Sequence, residues 1–260
     1  MARNVQGDFI WYELMTPDPE GAAAFYGEVV GWTTSSPPGG VDRGYRLWHS
    51  GGTAIGGMLE LSGTDGSMPP NWAGYVGVDD VDASAAAILS AGGRQFIAPT
   101  DIPGVGRFAF VADPQGVPFY IMRGTSDQVS TAFDPMAAGH CNWNEMATPV
   151  PDEALAFWGA RFGWRKSGAM PMGENGDYTF VDVGGRAIGA VFRAMDGRPP
   201  SFLFYFGVPD IDRAHGALQD GGGTVHFGPS EVPGGRFIIV ATDPEGAWFG
   251  LVGPRKGGQP

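Results

Sequence analysis

The chain has 260 residues, enough for one large or two ordinary domains, and 43% of them are apolar, including 17 Phe and 8 Trp, which is ample for packed cores. Lys and Arg number 16 against 28 Asp and Glu, and the net charge of −12 argues against a surface that binds nucleic acid or anionic membranes. The single cysteine, Cys141, excludes an internal disulfide framework and a multi-cysteine metal site. We therefore expect a globular protein whose partner is a small molecule.

The amino-terminal residues lead directly into the first strand-like segment. Residues 1–8 contain no apolar core of the kind found in a signal peptide. No stretch reaches the roughly 18 consecutive apolar residues of a membrane-spanning helix. The sequence thus predicts a cytoplasmic protein.

The first predicted module begins with a strand at residues 9–15. A helix follows, for which Thr16 is the expected N-cap and Pro17 the expected first residue. Its apolar residues recur at helical spacing: Ala22, Phe25, Tyr26 and Val29. Strands are predicted at residues 45–49 and 54–61, joined by a glycine turn.

A second module repeats this order. It has a strand at residues 72–78 and a helix that opens at Asp80 or Asp82. Further strands are predicted at residues 96–97, 107–112 and 117–122. Each module is therefore a strand, a helix and then strands.

The two modules recur in the second half of the chain. Glu13 and Glu145 lie 132 positions apart, as do Phe25 and Phe157. The repeated unit of about 115 residues is long enough to be a domain. The predicted organisation is a first domain at residues 1–124, a linker at 125–138, a second domain at 139–254 and a flexible tail at 255–260.

Three motifs carry a resemblance to a known family. They are Ala-Phe-Tyr-Gly-Glu-Val-Val-Gly-Trp at residues 24–32, Val-Asp-Asp-Val-Asp at 78–82 and Asp-Pro-Gln-Gly at 113–116, each with a second copy. In this order they resemble the vicinal oxygen chelate superfamily, which includes glyoxalase I, bleomycin resistance proteins and extradiol dioxygenases. The resemblance implies an α+β fold: a tandem duplication of a glyoxalase-like domain, each domain two βαβββ modules curling into a cup-shaped mixed sheet.

The same resemblance implies a divalent metal held by the first, fourth, fifth and eighth strands of a domain. In this chain the corresponding residues are Trp11, Glu60, Ala73 and Tyr120 in the first domain, and Trp143, Arg193, Leu203 and Gly250 in the second. Only Glu60 has a side chain suited to a divalent metal. No cofactor is therefore predicted, and a divalent metal held by Glu60 with relocated ligands stays open.

Strand periodicity indicates which residues, in place of metal ligands, line the cups. A period of two places Trp11 with Glu13 on one face, and Trp143 with Glu145 on the equivalent face. The candidate ligand-binding residues are Trp11, Tyr75, Tyr120, Arg107, Trp143, Tyr205, Arg236, Trp248 and His49. Aromatic walls with a few polar groups bind planar organic ligands. Alternatively, the two tryptophans belong to the core and the glutamates pair with Arg107 and Arg236.

Two functions follow from this site. The first is binding of a small, planar or aromatic organic molecule in aromatic-lined cups. The alternative is an enzyme of the same superfamily, of lyase, isomerase or dioxygenase type. Such an enzyme would use a relocated metal, or it would be metal-free with Glu13 or Glu145 as general acid or base. Nucleic acid and membrane are not expected partners, and the chain is expected to be a monomer or a homodimer.

Overall fold

Each of the four sequence modules folds as a strand, a helix and three strands. The computed structural model describes residues 4–37, 44–61, 68–194 and 198–256. The elements of the first repeat are β1 (Phe9–Thr16), α1 (Pro19–Val30), β2 (Thr33–Ser35), β3 (Tyr45–Ser50), β4 (Thr53–Glu60), β5 (Asn71–Gly77), α2 (Val81–Ser90), β6 (Arg94–Ile102), β7 (Gly106–Ala112) and β8 (Pro118–Gly124). Those of the second are β9 (Cys141–Thr148), α3 (Pro151–Phe162), β10 (Arg165–Pro171), β11 (Asp177–Val183), β12 (Arg186–Arg193), β13 (Ser201–Gly207), α4 (Ile211–Asp220), β14 (Thr224–Val232), β15 (Arg236–Thr242) and β16 (Trp248–Gly253).

The strands form two mixed sheets with the same topology. Their orders are β2-β3-β4-β1-β5-β8-β7-β6 and β10-β11-β12-β9-β13-β16-β15-β14. In the first sheet β1 pairs with β4, and β5 with β8, in parallel, whereas β3 with β4 and β7 with β8 are antiparallel. The predicted α+β tandem duplication is confirmed.

The helices begin where short polar side chains satisfy their first backbone N–H groups. Asp18 is the N-cap of α1 and its Oδ1 accepts a hydrogen bond from the Gly21 N–H at 3.0 Å. The prediction that Thr16 caps this helix is wrong because Thr16 ends β1, where its Oγ1 accepts from the Asp18 N–H at 3.2 Å. Asp80 caps α2 by accepting from the Ala83 N–H at 2.9 Å. In the described part of the chain, no helix has both the length and the apolar character to cross a membrane.

Two compact units divide the chain differently from the two sequence repeats. One draws its described residues from Met1–Trp11, Ala73–Ser130 and Asn144–Leu203, and the other from Tyr12–Trp72, Thr131–Trp143 and Phe204–Pro260. Each unit therefore combines modules from both repeats. The domain and linker boundaries given above remain a prediction about the repeats, and the predicted tail lies outside the described residues from position 257 onward.

A buried aspartate anchors the first unit. Asp113, at 1% exposure, opens the Asp-Pro-Gln-Gly turn, and its Oδ1 accepts from the Gln115 and Val117 N–H groups at 3.0 and 2.9 Å. Its Oδ2 accepts from Trp158 Nε1 at 3.1 Å. The Trp158 ring, on α3, stacks on Trp164 with centroids 4.4 Å apart. The turn of the first repeat is thus fixed to a helix of the second.

The second unit has the equivalent anchor. Asp243 Oδ1 accepts from the Glu245 and Ala247 N–H groups at 3.1 and 2.8 Å. Its Oδ2 accepts from the Tyr26 hydroxyl at 3.0 Å, and that hydroxyl accepts from Trp72 Nε1 at 2.9 Å. Tyr26 of α1 is the counterpart of Trp158, so here a helix of the first repeat holds the turn of the second.

Burial controls the ionisation of both aspartates. It raises the pKa of Asp113 and of Asp243 above the usual 3.8, although the donors around each carboxylate act in the opposite direction. Stability from a group whose pKa is raised on folding is present below the unfolded pKa. It is lost as the pH rises through the folded pKa. At a pH where Asp243 is ionised, its buried charge is therefore stabilised by its hydrogen-bond donors.

We expect Tyr26→Phe to lower the free energy of unfolding by about 2–4 kcal/mol near neutral pH, because Asp243 loses a donor and Trp72 an acceptor inside the core. Loss of that donor raises the Asp243 pKa further. The deficit in unfolding free energy caused by Tyr26→Phe should therefore be smaller at lower pH, where Asp243 is protonated. Urea denaturation at about pH 7 and about pH 5 measures both effects.

Asp243→Asn is the matched control. It keeps an oxygen to accept from the Glu245 and Ala247 N–H groups but cannot ionise. Introduced together with Tyr26→Phe, it should remove the pH dependence of the deficit. An equal deficit of Tyr26→Phe at both pH values would contradict the role given to the Asp243 charge.

Candidate functional site

The central strand β9 presents alternate residues to two environments. Trp143, Glu145 and Ala147 are half-buried, whereas Asn144, Met146 and Thr148 between them are buried. This is the period of two expected of a strand with one open face. Trp143 and Glu145 therefore share a face that retains access to solvent, as the sequence predicts.

Glu145 receives a short hydrogen bond on that face. The Tyr178 hydroxyl of β11 donates to Glu145 Oε1 at 2.6 Å. The Tyr178 ring stacks on Phe192 of β12 with centroids 5.6 Å apart and planes 28° apart. The Glu145 carboxylate is thus held by a tyrosine whose own ring is stacked on a phenylalanine. Sequence reasoning did not assign Tyr178 to the site. The available signal was that Tyr45 and Tyr178 stand on corresponding strands of the two repeats.

The equivalent glutamate of the first repeat is more enclosed. Glu13 on β1 is 3% exposed, and in the parallel pairing of β1 with β4 it lies opposite Gly57. The Tyr45 hydroxyl occupies the space that a Cβ at position 57 would need, so only glycine permits this approach. The Tyr45 hydroxyl therefore reaches the register partner of Glu13, although the Tyr45 backbone pairs with Leu59. Trp11, two residues before Glu13, is half-buried.

A row of rings crosses β5, β8 and β7. Tyr75 and Tyr120 are register partners whose rings stack with centroids 4.2 Å apart and planes 8° apart. Phe110 continues the stack, 4.4 Å from Tyr120, and Phe96 lies 5.1 Å beyond it. Such offset stacks of cross-strand neighbours stabilise a sheet face. Tyr75 and Tyr120 are thus brought together as neighbours.

The corresponding strands of the second repeat carry a different set. Tyr205 is the register partner of Gly250, and its ring lies against the Gly250 backbone. Trp248 stacks on His226 with centroids 4.1 Å apart and planes 25° apart. His226 Nε2 lies 3.1 Å from Thr242 Oγ1. His226 was not among the predicted site residues because nothing in its local sequence marks it.

The two candidate arginines have structural partners. Arg107 pairs with Asp82 at 2.8 Å and with Asp101 at 2.9 Å in an exposed cluster. Arg236 donates to the Pro135 carbonyl at 3.0 Å and to Asn142 Oδ1 at 2.8 Å, and burial lowers its pKa. These contacts fix loops and strand ends. A ligand-binding role for either arginine stays a prediction.

His49 and Glu60 lie at the remaining predicted positions. His49 is half-buried on β3, with Nε2 2.8 Å from Ser35 Oγ. Glu60 is exposed at the end of β4, and its counterpart Arg193 is exposed at the end of β12. Within the described ranges, no three His, Cys, Asp or Glu side chains are grouped so as to hold a metal.

Apart from Glu60, the residues at the family's metal-ligand positions do not suit a divalent cation. The first-strand positions hold Trp11 and Trp143, whose side chains have no lone pair to donate to a metal. At the fifth-strand positions stand Ala73 and Leu203, which also supply no donor atom. Neither the first-strand nor the fifth-strand positions therefore supply the carboxylate or imidazole ligands that divalent metals take.

Two open grooves lie against the helices rather than on these strand faces. One, of about 280 Å³, is lined by α2 and α3 and includes Ala83 and Ala87. The other, of about 610 Å³, is lined by α1 and α4 and includes Ala24 and Gly216. Both linings also include larger side chains, such as Arg161 in the first groove and Phe25 in the second. None of the predicted site residues lines either groove, so the strand faces are retained as the candidate site.

Comparison with known proteins identifies the family. Residues 137–251 match the Glyoxalase/Bleomycin resistance protein/Dioxygenase superfamily, and residues 11–122 match a Glyoxalase-like domain. The chain is 32% identical over 256 residues to "Putative glyoxylase CFP32" of Mycobacterium tuberculosis, covering 96% of this chain and 95% of that protein. It is 29% identical over 278 residues to "Anthracycline biosynthesis protein DnrV" of Streptomyces peucetius, covering 99% and 97%.

Solved structures share the fold. The Mn(II)-bound glyoxalase from Novosphingobium aromaticivorans superimposes with a TM-score of 0.66 at 16% identity, covering 98% of this chain and 84% of that one. A variant of homoprotocatechuate 2,3-dioxygenase from B. fuscum gives a TM-score of 0.68 at 16% identity, covering 98% and 73%. At this identity the likeness shows the fold alone. With the family matches, it establishes that the chain belongs to the glyoxalase/bleomycin resistance protein/dioxygenase superfamily, the vicinal oxygen chelate superfamily, in its tandem two-domain form.

Proposed function

We propose that the protein binds a small, planar aromatic molecule on the strand faces that carry its repeated glutamates. The hydrogen bond from Tyr178 to Glu145 is the observation that carries the proposal. It holds a half-buried carboxylate in one orientation beside stacked rings, which suits a ligand with an aromatic body and a hydroxyl or N–H group. The aromatic rings would contact the ligand body, and the carboxylate would accept its proton donor.

One of the relatives supports a ligand of this class. The Streptomyces peucetius protein is named for anthracycline biosynthesis, and this chain is similar to it along nearly its whole length. Anthracyclines are fused-ring, planar compounds with phenolic hydroxyl groups. A face with stacked aromatic side chains and one oriented carboxylate matches that chemistry. We propose a ligand of comparable shape, bound by a monomer or homodimer in the cytoplasm.

An enzyme is the second candidate function. The observation that favours it is again Glu145, because a carboxylate fixed at 2.6 Å by a hydroxyl is positioned to take or return a proton. Glu13 is the equivalent group of the first repeat. Cys141 is a poor alternative nucleophile, since burial raises its pKa to about 12 and keeps the thiol protonated.

Ligand binding tests the proposal directly. Quinizarin, a planar dihydroxyanthraquinone, should bind the purified protein with a change in its absorption spectrum. Glu145→Gln should weaken this binding about tenfold, because the charged acceptor for the ligand hydroxyl becomes neutral. Tyr178→Phe should weaken it less, since the carboxylate remains and loses only its fixed orientation.

Glu174→Gln is the matched control, because Glu174 is exposed in a short turn. It should leave quinizarin affinity unchanged. Equal affinities of the wild type and Glu145→Gln for quinizarin would show that the Glu145 carboxylate does not contact the ligand. Chemical conversion of quinizarin that is lost in Glu145→Gln while binding persists would favour the enzyme.

Metal content tests whether the protein is a metal-dependent enzyme. We expect the protein purified without chelators to contain Fe, Mn, Ni or Zn well below one equivalent per chain, because one exposed carboxylate, Glu60, binds such ions weakly. Elemental analysis by mass spectrometry measures this. A stoichiometric metal that survives dialysis and is lost on Glu60→Gln would establish a relocated site.

A further inference from the structure

The groove between α1 and α4 is a solvent-exposed surface of the second compact unit. It has a volume of about 610 Å³, and every residue that lines it belongs to that unit. Its short side chains include Ala24 of α1 and Gly216 and Ala217 of α4. The distance between two packed helices depends on the side chains at their contact, so a surface of short side chains lets another helix approach closely.

Gly216, near the middle of α4, has no contact within the chain that requires a glycine. A Cβ built at this position would meet no atom within 4 Å. At Gly221, by contrast, a Cβ would stand only 2.9 Å from the Phe25 ring. Glycine inside a helix destabilises that helix relative to alanine. The space that Gly216 leaves open therefore suits a close neighbour from outside the chain.

Two charged side chains stand on the same face of α4, one near each end. Arg213 and Asp220 both line the groove and are exposed, and Gly216 lies near the midpoint between them. They are separated by about 10 Å along the helix axis, at about 1.5 Å per residue. Within the part of the chain that the structure describes, neither side chain has an ion-pair or hydrogen-bond partner, whereas the adjacent Asp212 is paired with Arg255 at 2.7 Å.

The placement of these two charges is unfavourable for α4 by itself. Arg213 is the third residue of the helix, near the positive end of its dipole, and Asp220 is the last residue, at the negative end. An antiparallel copy of α4 makes both charges favourable. It brings Asp220 and the negative helix end of one copy beside Arg213 of the other, and a two-fold axis near Gly216 and Ala217 forms two such ion pairs at once.

The equivalent helix of the first repeat lacks this combination. On α2, Ala83 and Ser90 stand at the positions of Arg213 and Asp220, and Ala86 stands at the position of Gly216. A helix-favouring residue therefore occupies the middle of α2, and no complementary charges stand at its ends. The fold that the two repeats share does not require the features of α4.

We infer that α4 is the centre of a symmetric dimer interface formed with a second copy of this chain. The two α4 helices pack antiparallel across Gly216 and Ala217, and Arg213 of each copy pairs with Asp220 of the other. A two-fold contact brings one surface against itself, so its charges must complement one another, as those of α4 do. The inference goes beyond the proposed ligand site and does not depend on it.

The mass of the protein in solution tests this interface. In low-salt buffer, light scattering at about 200 µM protein should give twice the 27.3 kDa of one chain, and dilution to about 1 µM should give the single chain. Gly216→Leu fills the space at the centre and should raise the dissociation constant of the dimer at least about tenfold. Its unfolding temperature at about 1 µM should equal or exceed that of the wild type, because leucine favours a helix more than glycine does.

A charge exchange tests the ion pairs. Arg213→Glu should weaken the dimer because it places two carboxylates together, and adding Asp220→Arg should restore it with the signs reversed. Ala83→Glu, at the equivalent position of α2, is the matched control and should leave the mass unchanged. The inference would be overturned by a wild type that stays monomeric at about 200 µM, by a dimer that persists in Gly216→Leu, or by a double variant no more dimeric than Arg213→Glu.

Discussion

A buried aspartate that accepts a hydrogen bond from an aromatic residue of the other repeat is the interaction on which each compact unit depends. One carboxylate oxygen accepts hydrogen bonds from backbone N–H groups of its own turn. The other accepts from a side chain on the helix, so one group fixes both the turn and the helix. Asp113 with Trp158 and Asp243 with Tyr26 are the two cases. Removing either partner would leave a buried charge or a buried N–H or O–H group unsatisfied, which costs more than a surface contact.

The same reciprocal pattern extends to the residues that follow the first helices. Trp32 Nε1 donates to the Gly139 carbonyl at 2.7 Å, and Trp164 Nε1 donates to the Gly7 carbonyl at 2.9 Å. Each indole thus reaches a strand entrance of the opposite repeat. Each donor follows a helix of one repeat and its acceptor lies in the other, which accords with compact units that combine modules from both.

Much of this architecture was predictable from the sequence because it depends on local patterns. Helical spacing, glycine turns and the recurrence of motifs predict four modules in the correct order, and the alternation of β9 places Trp143 and Glu145 on one face. The N-cap of α1 was assigned wrongly because Thr16 and Asp18 are both good caps and only the end of β1 decides between them. The partner of Glu145 was missed for a different reason: Tyr178 lies two strands away, and periodicity says nothing of contacts across strands.

The two repeats share a topology but differ in side-chain packing. On the first sheet the register partners Tyr75, Tyr120 and Phe110 stack across β5, β8 and β7. The equivalent register positions of the second sheet hold Tyr205, Gly250 and Val240, and the Tyr205 ring takes the space that a side chain at position 250 would need. The repeated pattern of strands and helices therefore determines the topology, whereas individual side chains determine how each sheet face packs.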